Sequence, residues 1–248
     1  MAGHSKFKNI MHRKGAQDKK RAKLFSRLIR EISVAAKLGL PDPNANPRLR
    51  SAINNALAAN MTRDSIDKTI KKQSDNSSKN QIEEIIYEGF GPGGVAIIIE
   101  VYTDNKNRSA SEIRTTFNKF NGNLGTAGSV KHLFQKVGTI IYPRSIDSFE
   151  SLFEFSSSLS VLDLNENDEI YEIETSLEKF HETLEKFEKK YEIPKSSNLE
   201  WRAKEFIDVN ENNAEKLLNL IEKLEELDDV QNIFSNFDIS EELMEKIS

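Results

Sequence analysis

The hydrophobic period of this 248-residue chain changes once, and the change falls at a polar segment. Before residue 73 apolar residues recur every three to four positions. After residue 81 short runs of period two alternate with helical stretches. Residues 73–81, SDNSSKN with a flanking Gln on each side, hold no aliphatic residue and read as a linker. The chain therefore reads as a helical module followed by mixed strand and helix.

Ahead of the linker, residues 16–37 carry Phe25, Leu28, Ile29, Ile32, Ala35 and Ala36 at amphipathic-helix spacing. Gly39 and Pro41 stop this helix. Asn46 is suited to cap a second helix, with Pro47 at the first position, where its missing N–H costs nothing. That helix, 47–59, presents Leu49, Ile53, Ala56 and Leu57, and Asn60 can end it in a left-handed turn. Thr62 caps a third short helix to Lys72, with Asp64 in its first turn. The expectation is a three-helix domain over residues 1–75, with 1–15 a basic, largely irregular arm.

Behind the linker, 82–90 and 95–102 read as strands joined by Gly91-Pro92-Gly93-Gly94. A helix over 108–120 places Ile113, Phe117 and Phe120 on one face. Strands follow at 129–134 and 139–142. The next helix, ending near residue 159, points Ile146, Phe149, Leu152 and Phe153 inward. Then come a strand at 170–173 and a helix at 177–191 with Leu177, Phe180, Leu184 and Phe187 inward. A strand at 199–209, a helix at 213–227 and a strand at 230–237 complete the chain. With the acidic 163–168 segment read as a hairpin turn leading into the 170–173 strand, residues 139–209 run β-α-β-β-α-β, the ferredoxin-like order. The expected fold is α+β multidomain: an N-terminal three-helix domain, then two ferredoxin-like α+β domains, one inserted in the other. Residues 82–136 plus 210–240 would form the discontinuous domain and 139–209 the inserted acidic one.

The net charge of −5, taken whole, argues against a nucleic-acid partner. Along the chain it is far from even. Residues 1–80 carry 18 Lys+Arg against 6 Asp+Glu, a net +12; residues 81–140 are neutral; residues 141–248 carry 11 against 28, a net −17. A gradient this steep points to separate modules with separate partners.

The basic end supplies the candidate site. On the first helix Lys20, Lys23, Arg27 and Arg30 recur at i, i+3, i+7 and i+10, within a sector of roughly 80° at helical pitch. That sector is opposite the Phe25/Leu28/Ile32 face, so one face can pack while the other meets phosphates. Lys6, Lys8, Arg13 and Lys14 extend the charge along the arm. A polyanion gains from such a row through counterion release. The competing reading is a solvated charged face, but residues 1–38 hold only Asp18 and Glu31 against 11 Lys+Arg.

Other chemistries find little support. Zero Cys removes disulfides, thiolate metal sites and thiol catalysis. The longest apolar run is 95–99, against about 20 residues for a membrane span, and the basic N-terminus lacks a signal-peptide core. A cytoplasmic protein is expected. The Gly89–Gly94 segment runs into a strand and lacks the Lys-Ser/Thr and helix of a phosphate loop. Asp163, Asn165, Asn167, Ile170 and Glu174 fit several calcium-loop positions, but Asp168 stands where the loop needs Gly, so an acidic hairpin turn is preferred. His4, His12, His132 and His181 form no zinc spacing. Glu182/Lys186 and Glu185/Lys189 read as solvated i, i+4 pairs. No catalytic residue, metal site or cofactor is expected.

Longer stretches carry a family resemblance. Met1-Ala2-Gly3-His4-Ser5-Lys6, His12-Arg13-Lys14, Ala16-Gln17-Asp18 and Leu28-Ile29-Arg30-Glu31-Ile32 open it. The run from Asp42-Pro43-Asn44 to Pro47-Arg48-Leu49-Arg50 continues it. So do Tyr87-Glu88-Gly89-Phe90-Gly91-Pro92-Gly93-Gly94-Val95, Thr103-Asp104-Asn105-Lys106-Asn107-Arg108 and Val230-Gln231-Asn232-Ile233. Together they resemble the YebC/PmpR-type regulator family over nearly the whole chain. Phe7 stands where that family usually has Trp, and the linker is poorer in Gly than is common. The resemblance implies a helical domain plus two α+β domains, and a non-enzymatic cytoplasmic regulator, usually a DNA-binding transcriptional regulator. Related members, including the mitochondrial translational activator of cytochrome c oxidase, act on translation, so ribosomal RNA or tRNA is the alternative partner. The motif begins at Met1, with no presequence ahead of it, which favours a bacterial protein. The acidic domains would then offer a separate surface for a protein partner.

Overall fold

The structure is a computed structural model and describes residues 17–74, 82–240 and 242–243. The described residues fall into two compact units: 17–74 with 136–200, and 82–135 with 201–240 and 242–243.

The first unit opens with α1 (Gln17–Leu38), α2 (Pro47–Ala58) and α3 (Arg63–Ser74). Their ends are written locally. Asn46 caps α2 by accepting from Leu49 N–H at 3.1 Å, with Pro47 at its first position. Its Nδ2 also donates to the carbonyls of Ala35 and Leu40, tying the α1–α2 connection down. Asn60 has φ 63°, the left-handed turn that ends α2. Ile32, Ala35, Ala36, Leu49, Ala52, Ala56, Met61 and Ile66 form the buried core, flanked by half-buried Phe25 and Leu28. Ile29 does not join it and is 38% exposed, because it sits at the margin of the apolar stripe.

The same unit holds β4 (Phe134–Pro143) from residue 136 on, α5 (Phe149–Ser158), β5 (Asp163–Glu166), β6 (Ile170–Ser176), α6 (Phe180–Tyr191) and β7 (Ser196–Ala203) up to residue 200, the remaining residues of β4 and β7 belonging to the second unit. The sheet order is β5-β6-β4-β7, with β5/β6 and β6/β4 antiparallel. This is the ferredoxin-like arrangement that the β-α-β-β-α-β order implies. Ile140, Tyr142, Leu152, Tyr171, Ile173, Phe180, Leu184 and Phe187 fill its core. Two residues expected inside are not. Phe153 is exposed and stacks on Phe149, and Leu177 is exposed because α6 starts only at Phe180. Asp163 begins a strand and Asn167 accepts the backbone N–H groups of Glu169 and Ile170, so the acidic segment is a hairpin turn.

The second unit is built on β1 (Glu83–Phe90), β2 (Ala96–Thr103), α4 (Lys106–Lys119), β3 (Asn123–Leu124), β8 (Ile207–Asp208), α7 (Glu211–Glu226), β9 (Val230–Ser235) and β10 (Phe237–Asp238). Its main sheet runs β3-β1-β2-β9, all neighbours antiparallel, while β8 and β10 form a short parallel pair. The β1–β2 turn uses Gly93 at φ 78° and Gly94 at φ 77°, where any side chain would be strained. All eight residues of β2 are buried, which explains its unbroken apolar run. Ile97, Ile99 and Val101 pack with Ile113 and Phe117 of α4 and Leu217, Leu220 and Leu224 of α7. Ala96 and Ile98 pack with Val130, Phe134, Trp201 and Phe234 on the opposite face.

Two strand expectations need correction. Residues 129–134 are not a strand: Gly128, Val130 and Lys131 turn their N–H groups onto the buried Glu88 carboxylate, and Lys131–Leu133 is a 3-10 turn. Residues 199–209 are not one strand but β7 and β8, separated at residues 204–206.

Candidate nucleic-acid interface

Three of the expected phosphate-facing residues, Lys23, Arg27 and Arg30, lie on α1 and are half-buried, whereas Arg21 is exposed. Partial burial of such side chains lets the methylene stem pack, and at Arg27 the burial extends to Nε. Lys20 lies within α1, but its side chain is outside the described residues; so are Lys6, Lys8, Arg13 and Lys14 altogether. Arg21 stands over the Phe25 ring at 5.4 Å from its centroid, fixing one cation at the rim of the apolar stripe. Glu31, the one acidic side chain described on α1, is met by Arg48 of α2, Nε to Oε1 at 2.8 Å. Arg63, Lys71 and Lys72 of α3 are exposed, the last two in the final turn, where the helix dipole favours cations.

The outward side of α2 is a second polar face. Leu49, Ala52 and Ala56 turn to the helical core. Arg50, Asn54 and Asn55 meet α6 and β7 instead. Arg50 Nη2 donates to Glu185 Oε1 at 2.7 Å and Asn54 Nδ2 to Glu188 Oε1 at 2.9 Å. Asn55 Nδ2 donates to the Ser197 carbonyl and to Asn198 Oδ1, while its Oδ1 accepts Ser197 N–H. Glu185 therefore pairs with Arg50 across 135 positions of sequence, where the i, i+4 reading had given it Lys189. Glu182 keeps Lys186 as expected, at 2.7 Å, and takes Lys179 as well. Those two cations hold its carboxyl down to a pKa of about 2.

The family model described as the TACO1/YebC protein N-terminal domain matches residues 5–76, and that for the TACO1/YebC second and third domain matches residues 82–237. The chain belongs to the TACO1/YebC family. A relative from Zymomonas mobilis, named "Probable transcriptional regulatory protein ZMO0153", is 49% identical over 247 residues, spanning 100% of this chain and 99% of its own. The crystal structure of a conserved hypothetical protein, Aq1575 of Aquifex aeolicus, is similar with a TM-score of 0.84 and 42% identity, covering 90% of this chain and 93% of that one.

In this TACO1/YebC protein, two of the motifs that carry the resemblance build carboxylate anchors. The Thr103–Arg108 stretch ends β2 and opens α4. Asn105 caps α4 by accepting Arg108 N–H, while Thr103, Arg108 and Ser109 all donate to Asp229 Oδ2. Burial works to raise the Asp229 pKa, and those three bonds outweigh it and hold the carboxyl below its ordinary range. Glu88, in the Tyr87–Val95 stretch, likewise resists burial through three backbone N–H bonds and stays below the usual range. Lys131, donated onto Glu88 through its backbone, stands with Nζ 5.2 Å from the Trp201 ring centroid. Lys204 Nζ donates to the neighbouring His132 carbonyl at 2.9 Å. This pair of cations escaped the sequence reading because a turn and the residue just after β7, some 70 positions away, supply it; only the lone Trp signalled a packed site.

Among the described residues no group of three or more His, Asp or Glu side chains could hold a metal ion, and no helix is long and apolar enough to cross a membrane.

Proposed function

We propose that this chain is a nucleic-acid-binding regulator of gene expression, a DNA-binding transcriptional regulator that contacts phosphates through Lys23, Arg27 and Arg30 of α1. Lys20 and the arm residues Lys6, Lys8, Arg13 and Lys14 extend the same row. The observation that carries this reading is the net +12 of residues 1–80 in a chain whose residues 141–248 carry −17. On α1 the helical spacing sets that charge away from the Ile32/Ala35 core. The name of the Zymomonas mobilis relative supports the transcriptional form. The strongly acidic segment is left to a different partner, a protein.

The test is a triple reversal, Lys23→Glu, Arg27→Glu and Arg30→Glu. Binding to promoter DNA should be lost, and any remaining binding should show a shallower salt dependence, by about 0.9 in log–log slope per phosphate contact removed. Unchanged affinity and slope would rule out this face. Co-sedimentation with ribosomes at moderate salt, without a shift of promoter DNA, would move the partner to RNA and the protein to translation.

A further inference from the structure

We propose that the outward face of α2, formed by Arg50, Asn54 and Asn55, is a second nucleic-acid contact, kept occupied by the acidic residues Glu185 and Glu188 of α6. This rests on the reading that the helical segment binds nucleic acid, and it names how that binding is held in check. The chemistry of the face is one guanidinium and two carboxamides within six residues on a single helix. A guanidinium is the side chain best matched to phosphate oxygens. Carboxamides donate to phosphate and pair with base edges.

What fills the face in this structure has the same character. Two carboxylate oxygens accept from Arg50 and Asn54 at 2.7 and 2.9 Å, and a backbone carbonyl and an amide oxygen accept from Asn55. Carboxylates at i and i+3 of α6 thus present anionic oxygens to α2 as a nucleic-acid backbone would. The occupancy is exchangeable. The Arg50 and Glu185 side chains are 31% and 50% exposed, and an ion pair so open to water is weak and screened by salt. A polyanion arriving at the +12 segment replaces these oxygens with phosphates and adds counterion release, which an intramolecular carboxylate does not supply. The acidic segment then acts as a competitor that raises the threshold for weak or short polyanions.

Glu185→Gln with Glu188→Gln should open the face. Binding of a short labelled DNA duplex and of a short single-stranded RNA, followed by anisotropy at fixed salt, should tighten about tenfold. The control, Glu150→Gln with Glu154→Gln, removes the same charge from exposed positions on α5 and should change affinity by about twofold or less. Adding Arg50→Gln and Asn54→Ala to the opened variant should cancel the gain. Equal tightening in both double variants, no tightening in the first, or a gain that survives Arg50→Gln and Asn54→Ala would overturn the proposal. The α1 triple reversal separates the two readings. If it abolishes binding while the opened variant behaves as the control, α1 stands and the α2 face fails. If it leaves affinity unchanged while the opened variant tightens and loses the gain with Arg50, the α2 face stands and α1 fails.

Discussion

Arg108 Nη2 lies 2.7 Å from Asp229 Oδ2, joining the first turn of α4 to the residue just before β9 across 121 positions of sequence. The same oxygen accepts Ser109 Oγ at 2.7 Å and Thr103 Oγ1 at 2.9 Å, and both hydroxyls are buried. Removing Asp229 would strand those donors, which costs more than the bonds contribute when made. Asp229→Ala should therefore destabilise the unit by about 2–3 kcal/mol, read as a lower midpoint in urea. Because the folded-state pKa of Asp229 is depressed, its contribution is present above the unfolded value of about 3.9 and is lost as pH falls through the folded one. An Asp229→Asn variant should lose that part of the acid-induced decline.

Glu88 makes a related prediction with a different readout. Its two oxygens accept three backbone N–H groups from the 128–131 segment, at 2.7, 2.8 and 2.8 Å. Glutamine has only one acceptor oxygen and would aim an NH₂ at donors. Glu88→Gln should cost about 2 kcal/mol. Lys131 is held over Trp201 by this segment, so the variant should also shift the emission of the lone tryptophan before global unfolding. An unchanged spectrum would show that the segment does not depend on Glu88.

The elements that were legible in the sequence are those with a periodic or capping signal of their own. Asn46-Pro47 and the 3.6-residue spacing of α7 needed nothing from elsewhere. What was not legible depends on distant partners. The 129–134 segment looks strand-like until Glu88, some 40 residues earlier, claims the N–H groups of Val130, Lys131 and the adjoining Gly128. Glu185 has a lysine four residues on, and i, i+4 pairs contribute only about 0.2–0.5 kcal/mol, so an arginine brought up by α2 takes it. For the candidate interface the helical face of Lys23, Arg27 and Arg30 could be drawn from spacing, but the α2 face could not. Its polar residues carry no pattern of their own, and their partners Glu185, Glu188 and Ser197 are supplied only by the fold.

Gly138 is a close approach that sequence gives no reason to suspect. It lies in β4 opposite Thr175 of β6. A Cβ there would stand 2.6 Å from both Phe180 Cγ and Thr175 Oγ1, and both side chains are buried. Phe180 opens α6 inside the core and has no solvent side to retreat to. Gly138→Ala should destabilise the first unit by about 3 kcal/mol, visible as a drop in melting temperature. Pairing it with Phe180→Leu, which frees the ring volume, should recover part of the loss; no recovery would place the strain elsewhere.

His181 ties pH to the α2–α6 contact. It sits on α6 with its ring 5.1 Å from that of Phe180. Burial lowers its pKa first and the nearby Arg50 charge lowers it further, while Glu185 opposes them. A histidine with a depressed folded pKa favours the neutral form, so the unfolded chain takes up the proton at a higher pH than the folded one. The stability it supports is complete above the unfolded value of about 6.5 and declines as pH falls through the folded one. Between those limits the unit should lose stability with a slope of at most one proton, and His181→Gln should flatten that slope without altering stability at pH 8. Arg50→Gln removes one of the causes, so the folded pKa should rise toward the unfolded one, and the decline should be smaller and end at a higher pH. If chemical denaturation shows the same pH profile for wild type and His181→Gln, the histidine is not the group that titrates there.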